Sequence, residues 1–146
     1  MSVFVDSGVF YALHDEDTDR HRSARVAFDQ LLSGEYGSVV ASDYVYDETV
    51  TLTRSRFGTV EDALAAGDRI LGRRSYPDTV NLRFVDRPIF ESAIDLLDRY
   101  GDQPLSFTDA TTVALVEHFD IDRVLAFDDD FDGVVDRLDP KTVASG

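Results

Sequence analysis

The tightest constraint on the fold is an alternation that runs the length of the chain: short apolar runs, each followed by a longer stretch with helical spacing. Ser2 to Val5 reads as a strand that ends in Asp6, and Gly8 to Leu13 continues as a short helix. After the polar loop His14 to Arg20, the segment His21 to Leu32 carries Ala24, Phe28, Leu31 and Leu32 on one helical face and stops at Gly34. Val39 to Ala41 is the next strand; Ser42 or Asp43 caps a helix from Tyr44 to about Arg56, which Gly58 ends. Thr59 and Asp62 have capping-box spacing ahead of a helix that closes near Gly72. Thr79 to Val85 alternates Val80, Leu82 and Phe84 with polar residues, as a strand does, and Asp86 and Pro88 open a helix that ends at Gly101. Ser106 to Phe119 is a further helix, and Arg123 to Phe127 a strand that runs into an acidic loop. Strands that alternate with helices in this way build βα units. The expected fold class is therefore α/β, a three-layer α/β/α sandwich around a central, mainly parallel sheet.

At 146 residues the chain reads as a single domain over 1–146, with residues 140–146 expected to form a C-terminal tail or a short edge strand. No repeat or linker divides it. The absence of cysteine removes disulfides and thiolate metal sites from consideration. No apolar stretch approaches the roughly 18 residues of a membrane span, and MSVFVDSG does not look like a targeting segment, so a cytoplasmic protein is expected. The formal net charge is −15, and Lys141 is the only lysine. Carboxylate excess with almost no lysine has the texture of a halophilic surface, or else of an acidic docking face. Such a field repels nucleic acid, so any nucleic-acid reading depends on local arginine.

In an open α/β sheet, ligands bind beyond the carboxyl ends of the strands. Asp6 and Asp128 follow the first and last predicted strands, Glu48 lies on the helix after the second strand, and Asp109 on the first turn of the helix before the last strand. Each has a plain structural explanation. Asp6 suits a helix cap, Ser106 to Asp109 suits a capping box, Glu48 suits a solvated helix face, and Asp128 suits one more surface acid.

Taken together and in order, the segments FVDSGVFYAL, SDYVYDETVTLTR, LSFTDATTVAL and VLAFDDDF resemble the successive acidic motifs of the PIN-domain ribonucleases, in particular the small toxin-type members called VapC. The resemblance runs from Val3 to about Phe131; no single motif is specific, whereas four in sequence are. It implies a parallel sheet between helices and a Mg²⁺- or Mn²⁺-dependent endonuclease acting on RNA. Residue by residue, it places the acids on Asp6, Glu48, Asp109 and Asp128 as catalytic and metal-binding residues, with Asp130 as a further metal ligand or alternative fourth acid. It also implies a homodimer and a small protein antitoxin. Ala126 departs from the pattern, because many relatives carry Thr, Ser or Asn two residues before the fourth acid.

The chemistry agrees with this. Hard divalent cations take oxygen ligands, bind through a few carboxylates, and activate water and steady phosphate charge without histidine or lysine. An all-carboxylate site without its cations contains mutual repulsion, so at least one acid is expected to titrate high. Hydrolysis of this kind leaves a 5′-phosphate and a 3′-hydroxyl.

Other readings compete. Asp128, Asp130, Asp132, Gly133 and Asp139 reproduce EF-hand spacing, but a strand precedes them and six residues after Pro140 leave no room for an exiting helix. A phospho-acceptor receiver needs a lysine after a late strand, and Lys141 comes too late. A stand-alone RNA-processing nuclease, or a non-catalytic acidic module that binds Ca²⁺, would share much of the pattern. For RNA contact, Arg54, Arg56, Arg73 and Arg74, with Arg69, form the best basic group. His14, His21 and His118 have no helical metal-site spacing and read as structural or surface residues; Tyr11, Tyr44 and Tyr46 read as core or contact aromatics.

Overall fold

The computed structural model describes all residues from 1 to 146. Its five strands are β1 (Ser2–Val5), β2 (Ser38–Ser42), β3 (Val80–Arg83), β4 (Arg123–Leu125) and β5 (Arg137–Leu138). They form one sheet in the order β3-β2-β1-β4-β5, and every pairing is parallel. The helices are α1 (Ser7–His14), α2 (His21–Leu32), α3 (Asp43–Phe57), α4 (Val60–Leu71), α5 (Arg87–Arg99), α6 (Phe107–His118) and α7 (Pro140–Ser145). The expected α/β architecture is thus the observed one. No helix is long and apolar enough to cross a membrane.

β1 is central because its Val3, Phe4 and Val5 are buried on both faces, as a parallel strand covered by helices on each side requires. From β1 the chain builds outward to β2 and β3, then crosses back to place β4 on the other side of β1. The direction of winding reverses between β1 and β4. That reversal opens a crevice at the carboxyl ends of these two strands.

Local chemistry sets the helix ends. Ser42, Thr59, Asp86 and Ser106 each cap a helix through a side-chain oxygen, and Gly58 and Gly72 close α3 and α4 in left-handed conformations that glycine adopts without strain.

Three expectations change. Residues 140–145 form a helix rather than a tail or edge strand: Asp139 caps it through the Lys141 N–H (2.9 Å), Pro140 suits its first turn, and it packs on α2 with Val143 buried. There is therefore room for a short helix after Pro140, although β4 rather than a helix enters the acidic loop. The last predicted strand stops at Leu125, and a two-residue strand, β5, follows, too short to leave a periodic signal. β3 ends at Arg83, which leaves Phe84 68% exposed instead of in the core, because β3 is an edge strand covered only in part.

α3 and α4 pack closely, and Gly67 makes this possible. A Cβ at position 67 would lie 2.7 Å from the Tyr46 ring and 2.9 Å from Val50. Gly67→Val is expected to lower stability by about 2 kcal/mol. In a thermal melt this reads as a fall of several degrees in Tm with the secondary-structure signal of the folded state retained.

Candidate active site

Four separate stretches of chain deliver carboxylates to the β1/β4 crevice. It is a cleft of about 310 Å³ whose wall includes Asp6, Glu48, Asp109, Asp128 and Asp130, together with Ser7, Ser106, Arg20 and Phe127. Asp6 leaves the end of β1, and its N–H donates to the Leu125 carbonyl (3.0 Å), which holds the exits of β1 and β4 side by side. Glu48 projects from α3 and accepts a hydrogen bond from the Ser7 hydroxyl. Its neighbour Asp47 is exposed and takes the Thr51 hydroxyl (3.1 Å), about 100° away round the helix.

Asp109 has two tasks. Its Oδ2 accepts the Ser106 N–H (3.0 Å) while the Ser106 hydroxyl accepts the Asp109 N–H (3.1 Å), a complete capping box on α6. The same carboxylate lines the cleft. The plain explanation of Asp109 and its membership of the acidic cluster are both true of one side chain.

For Asp6 the plain explanation fails. It occupies the N-cap position of α1 but makes no side-chain cap bond. Its Oδ1 is buried without a hydrogen-bond partner, and the residue is only 7% exposed. Burial first, then the charges of Asp109 and Glu48 and to a lesser degree Asp128, raise its pKa from 3.8 to about 7. Burial likewise raises the Asp109 pKa, against the lowering effect of its two bonds to Ser106, and Glu48 and Asp128 add to the rise. Asp130 is raised by partial desolvation and by Asp128 and Asp129.

The loop that carries Asp128 is braced by a residue that no motif singled out. Arg137 reaches back from β5 to the carbonyls of Ala126 (3.0 Å) and Phe127 (3.4 Å) and grips Asp132 at 2.7 and 3.3 Å. Within the loop, Asp128 Oδ1 accepts the Asp130 N–H (3.2 Å), and Phe131 is buried. Of the three consecutive aspartates, Asp128 and Asp130 line the cleft and Asp129 does not. With Asp132 engaged by Arg137 and a strand leading in, the loop is not that of an EF-hand. Ala126 is fully buried and offers no side-chain donor, whereas Ser7 supplies a hydroxyl to Glu48.

The arginines singled out for RNA contact lie elsewhere. Arg54 and Arg56 sit six and eight residues beyond Glu48, roughly 9–12 Å down the axis of α3 from the cleft. Arg56 stacks on Tyr11, Arg74 pairs with Asp68 (2.6 Å), and Arg73 borders a shallow depression with Tyr46 and Leu82. None of the four lines the cleft; Arg20 does. The histidines are also remote from it, His14 pairing with Asp62 (3.0 Å) and His21 bonding the Ala12 carbonyl (2.7 Å).

A cleft with an all-oxygen donor set, a buried unpartnered carboxylate oxygen and acids pushed toward neutrality fits a hard divalent cation. Fold and site together define an α/β protein with an acidic centre at its topological switch point. The PIN domain model matches residues 3–136, and the chain belongs to the PIN-domain family. It is 30% identical over 129 residues to the 23S rRNA-specific endonuclease VapC20 of Mycobacterium tuberculosis, which covers 88% of this chain and 91% of that protein. A VapC ribonuclease of Archaeoglobus fulgidus is 19% identical over 132 residues, covering 90% and 80% of the two chains. The crystal structure of VapC20, described as a sarcin-ricin loop cleaving toxin, superposes with a TM-score of 0.74 over 88% of this chain and 92% of that one. A toxin–antitoxin complex from Klebsiella pneumoniae, 16% identical, shares the fold with a TM-score of 0.64 over 94% and 97%.

The raised Asp6 pKa has a consequence for stability. Below about pH 4 both folded and unfolded chains hold the Asp6 proton. Between pH 4 and 7 the unfolded chain releases a proton that the folded chain keeps, so stability falls as pH rises, with the loss complete above pH 7. The full effect is at most about 4 kcal/mol. Asp6→Asn removes it, so in EDTA the variant is expected to melt several degrees above the parent at pH 8, with the gap narrowing steadily toward pH 5. A constant or reversed gap would show that Asp6 is not held under repulsion.

Proposed function

We propose that the chain is a Mg²⁺- or Mn²⁺-dependent endoribonuclease of the VapC toxin type. The observation that carries the reading is Asp6, a buried carboxylate with an oxygen that has no partner, facing four other acids in one cleft. The full-length likeness to VapC20 supports RNA as the substrate and a toxin–antitoxin setting.

Asp6, Glu48, Asp109 and Asp128 are the residues that would hold the metal, with Asp130 beside them. When bound, the ion supplies positive charge to the phosphodiester and makes water a better nucleophile. The chain's own part is placement. Ser7 fixes the Glu48 carboxylate, the capping box fixes Asp109, the strand exits fix Asp6, and the Arg137 brace fixes the Asp128 loop. No histidine or lysine lines the cleft to draw a proton from a ribose 2′-hydroxyl, which favours attack by water and products with a 5′-phosphate and a 3′-hydroxyl.

Two protein partners belong to this reading: an antitoxin that covers the cleft, and a second copy of the chain. α5 presents Phe90, Ile94 and Leu97 on one exposed stripe, an apolar surface of the sort a protein partner covers.

Single-stranded RNA is expected to be cut in Mn²⁺ or Mg²⁺ and left intact in EDTA. Asp6→Asn and Glu48→Gln should each lower the rate by about 10²-fold or more while the chain stays folded. Retained cleavage in EDTA, or in Asp6→Asn, would refute the mechanism. A companion melt should show Mn²⁺ raising the Tm of the parent and not of Asp6→Asn, since an ion that binds only the folded state must stabilise it.

A further inference from the structure

We propose that Arg20 grips a backbone phosphate of the RNA and seats it against the acidic cleft, with Phe127 as the platform that holds the guanidinium in place. The inference rests on the nuclease reading for the identity of the polyanion, and on separate observations for the residue.

Arg20 is the one basic side chain in the wall of a cleft that five carboxylates line. A free guanidinium in such company is expected to swing onto a carboxylate and form a two-pronged ion pair. Arg20 does not. It makes no ion pair, and its guanidinium carbon lies 4.9 Å from the centre of the Phe127 ring. Stacking occupies the face of the guanidinium and leaves its N–H donors, which radiate in the plane, free for a ligand.

Both halves of this arrangement are held from behind. Arg20 is the residue before α2, and the loop that leads to it is tied down by the Tyr11 hydroxyl on Asp15 (2.7 Å), the His21 N–H on the Thr18 carbonyl (3.1 Å) and the His21 ring on the Ala12 carbonyl (2.7 Å). Phe127 is held through its own carbonyl by Arg137 (3.4 Å). A flexible cation has thus been given a fixed origin and a fixed platform at the mouth of the site.

The electrostatics select the ligand. With a formal charge of −15 and an acidic cleft, the chain repels a polyanion, and a planar donor array on the rim is the feature that attracts one. A phosphodiester offers two non-bridging oxygens that match the guanidinium fork. An isolated acid on a partner protein would match the fork as well, but in that case Arg20→Ala would leave RNA affinity and its salt slope unchanged.

The test measures binding and turnover separately in the full chain. Binding of a fluorescein-labelled single-stranded RNA in Ca²⁺ is followed by anisotropy over a series of salt concentrations, and KM and kcat are measured in Mn²⁺. Arg20→Ala is expected to weaken binding about tenfold and to reduce the slope of log affinity against log salt by about 0.7, the value for one phosphate contact on a single strand. KM should rise more than kcat falls. Arg20→Lys should recover the slope but only part of the affinity, because it keeps charge and loses the fork. Phe127→Leu should weaken binding a few-fold with the slope unchanged. Unchanged affinity and slope in Arg20→Ala would overturn the proposal. So would a change confined to Tm or to the Mn²⁺ midpoint with KM unaltered, which would mean that Arg20 only offsets carboxylate repulsion. A parent that binds no RNA would overturn it too. A parent that binds RNA through Arg20 but does not cut it would uphold the grip and refute the nuclease reading, while a parent that cuts RNA with Arg20→Ala unaffected would do the reverse.

Discussion

The structure is organised around a repulsion. Asp6 is buried against other acids at a point where its charged form is disfavoured by lost solvent and by its neighbours alike. A fold can hold such an arrangement only if burial elsewhere outweighs it. Here a continuous core of 31 buried apolar residues, with β1 at its centre, does so. The same strand that anchors the core delivers the strained carboxylate, so the site cannot relax without disturbing the sheet.

Parallel topology then does the gathering. Strands that all point one way put their exits on one edge, and the reversal between β1 and β4 parts the helices there. α3 and α6 begin at the same edge, so a glutamate on the second turn of one and an aspartate on the first turn of the other come within reach of Asp6. Side chains more than a hundred residues apart in the chain meet without any unusual backbone geometry. The loop after β4 is held by Arg137 through two carbonyls and a carboxylate.

Much of this is legible in the sequence, for reasons that can be stated. Strand and helix order follows from periodicity and capping, which are local. Positions just beyond strands or early on helices make Asp6, Glu48, Asp109 and Asp128 candidates, the resemblance to the PIN-domain motifs joins them into one set, and the cleft gathers all four, with Asp130. Arg20, Ser7 and Arg137 were not legible, because each acts across the fold on a residue far away in the chain and has no local pattern. Arg54 and Arg56 near the end of α3, and Arg73 and Arg74 just beyond α4, cluster in sequence as Arg20 does not, yet such clustering says nothing about which edge of the sheet a side chain faces. β5 is too short to show a period, and α7 was hidden by its position at the end of the chain, although Asp139 and Pro140 are a recognisable helix start.

Asp109 leads furthest. One of its oxygens closes the first turn of α6 while the carboxylate as a whole faces the cleft. Asparagine there would keep an acceptor for the turn and discard the charge, whereas alanine would lose both. One side chain thus ties the start of α6 to the charge of the cleft, so a substitution that removes the carboxyl group altogether loosens the helix start and drains the cleft at once.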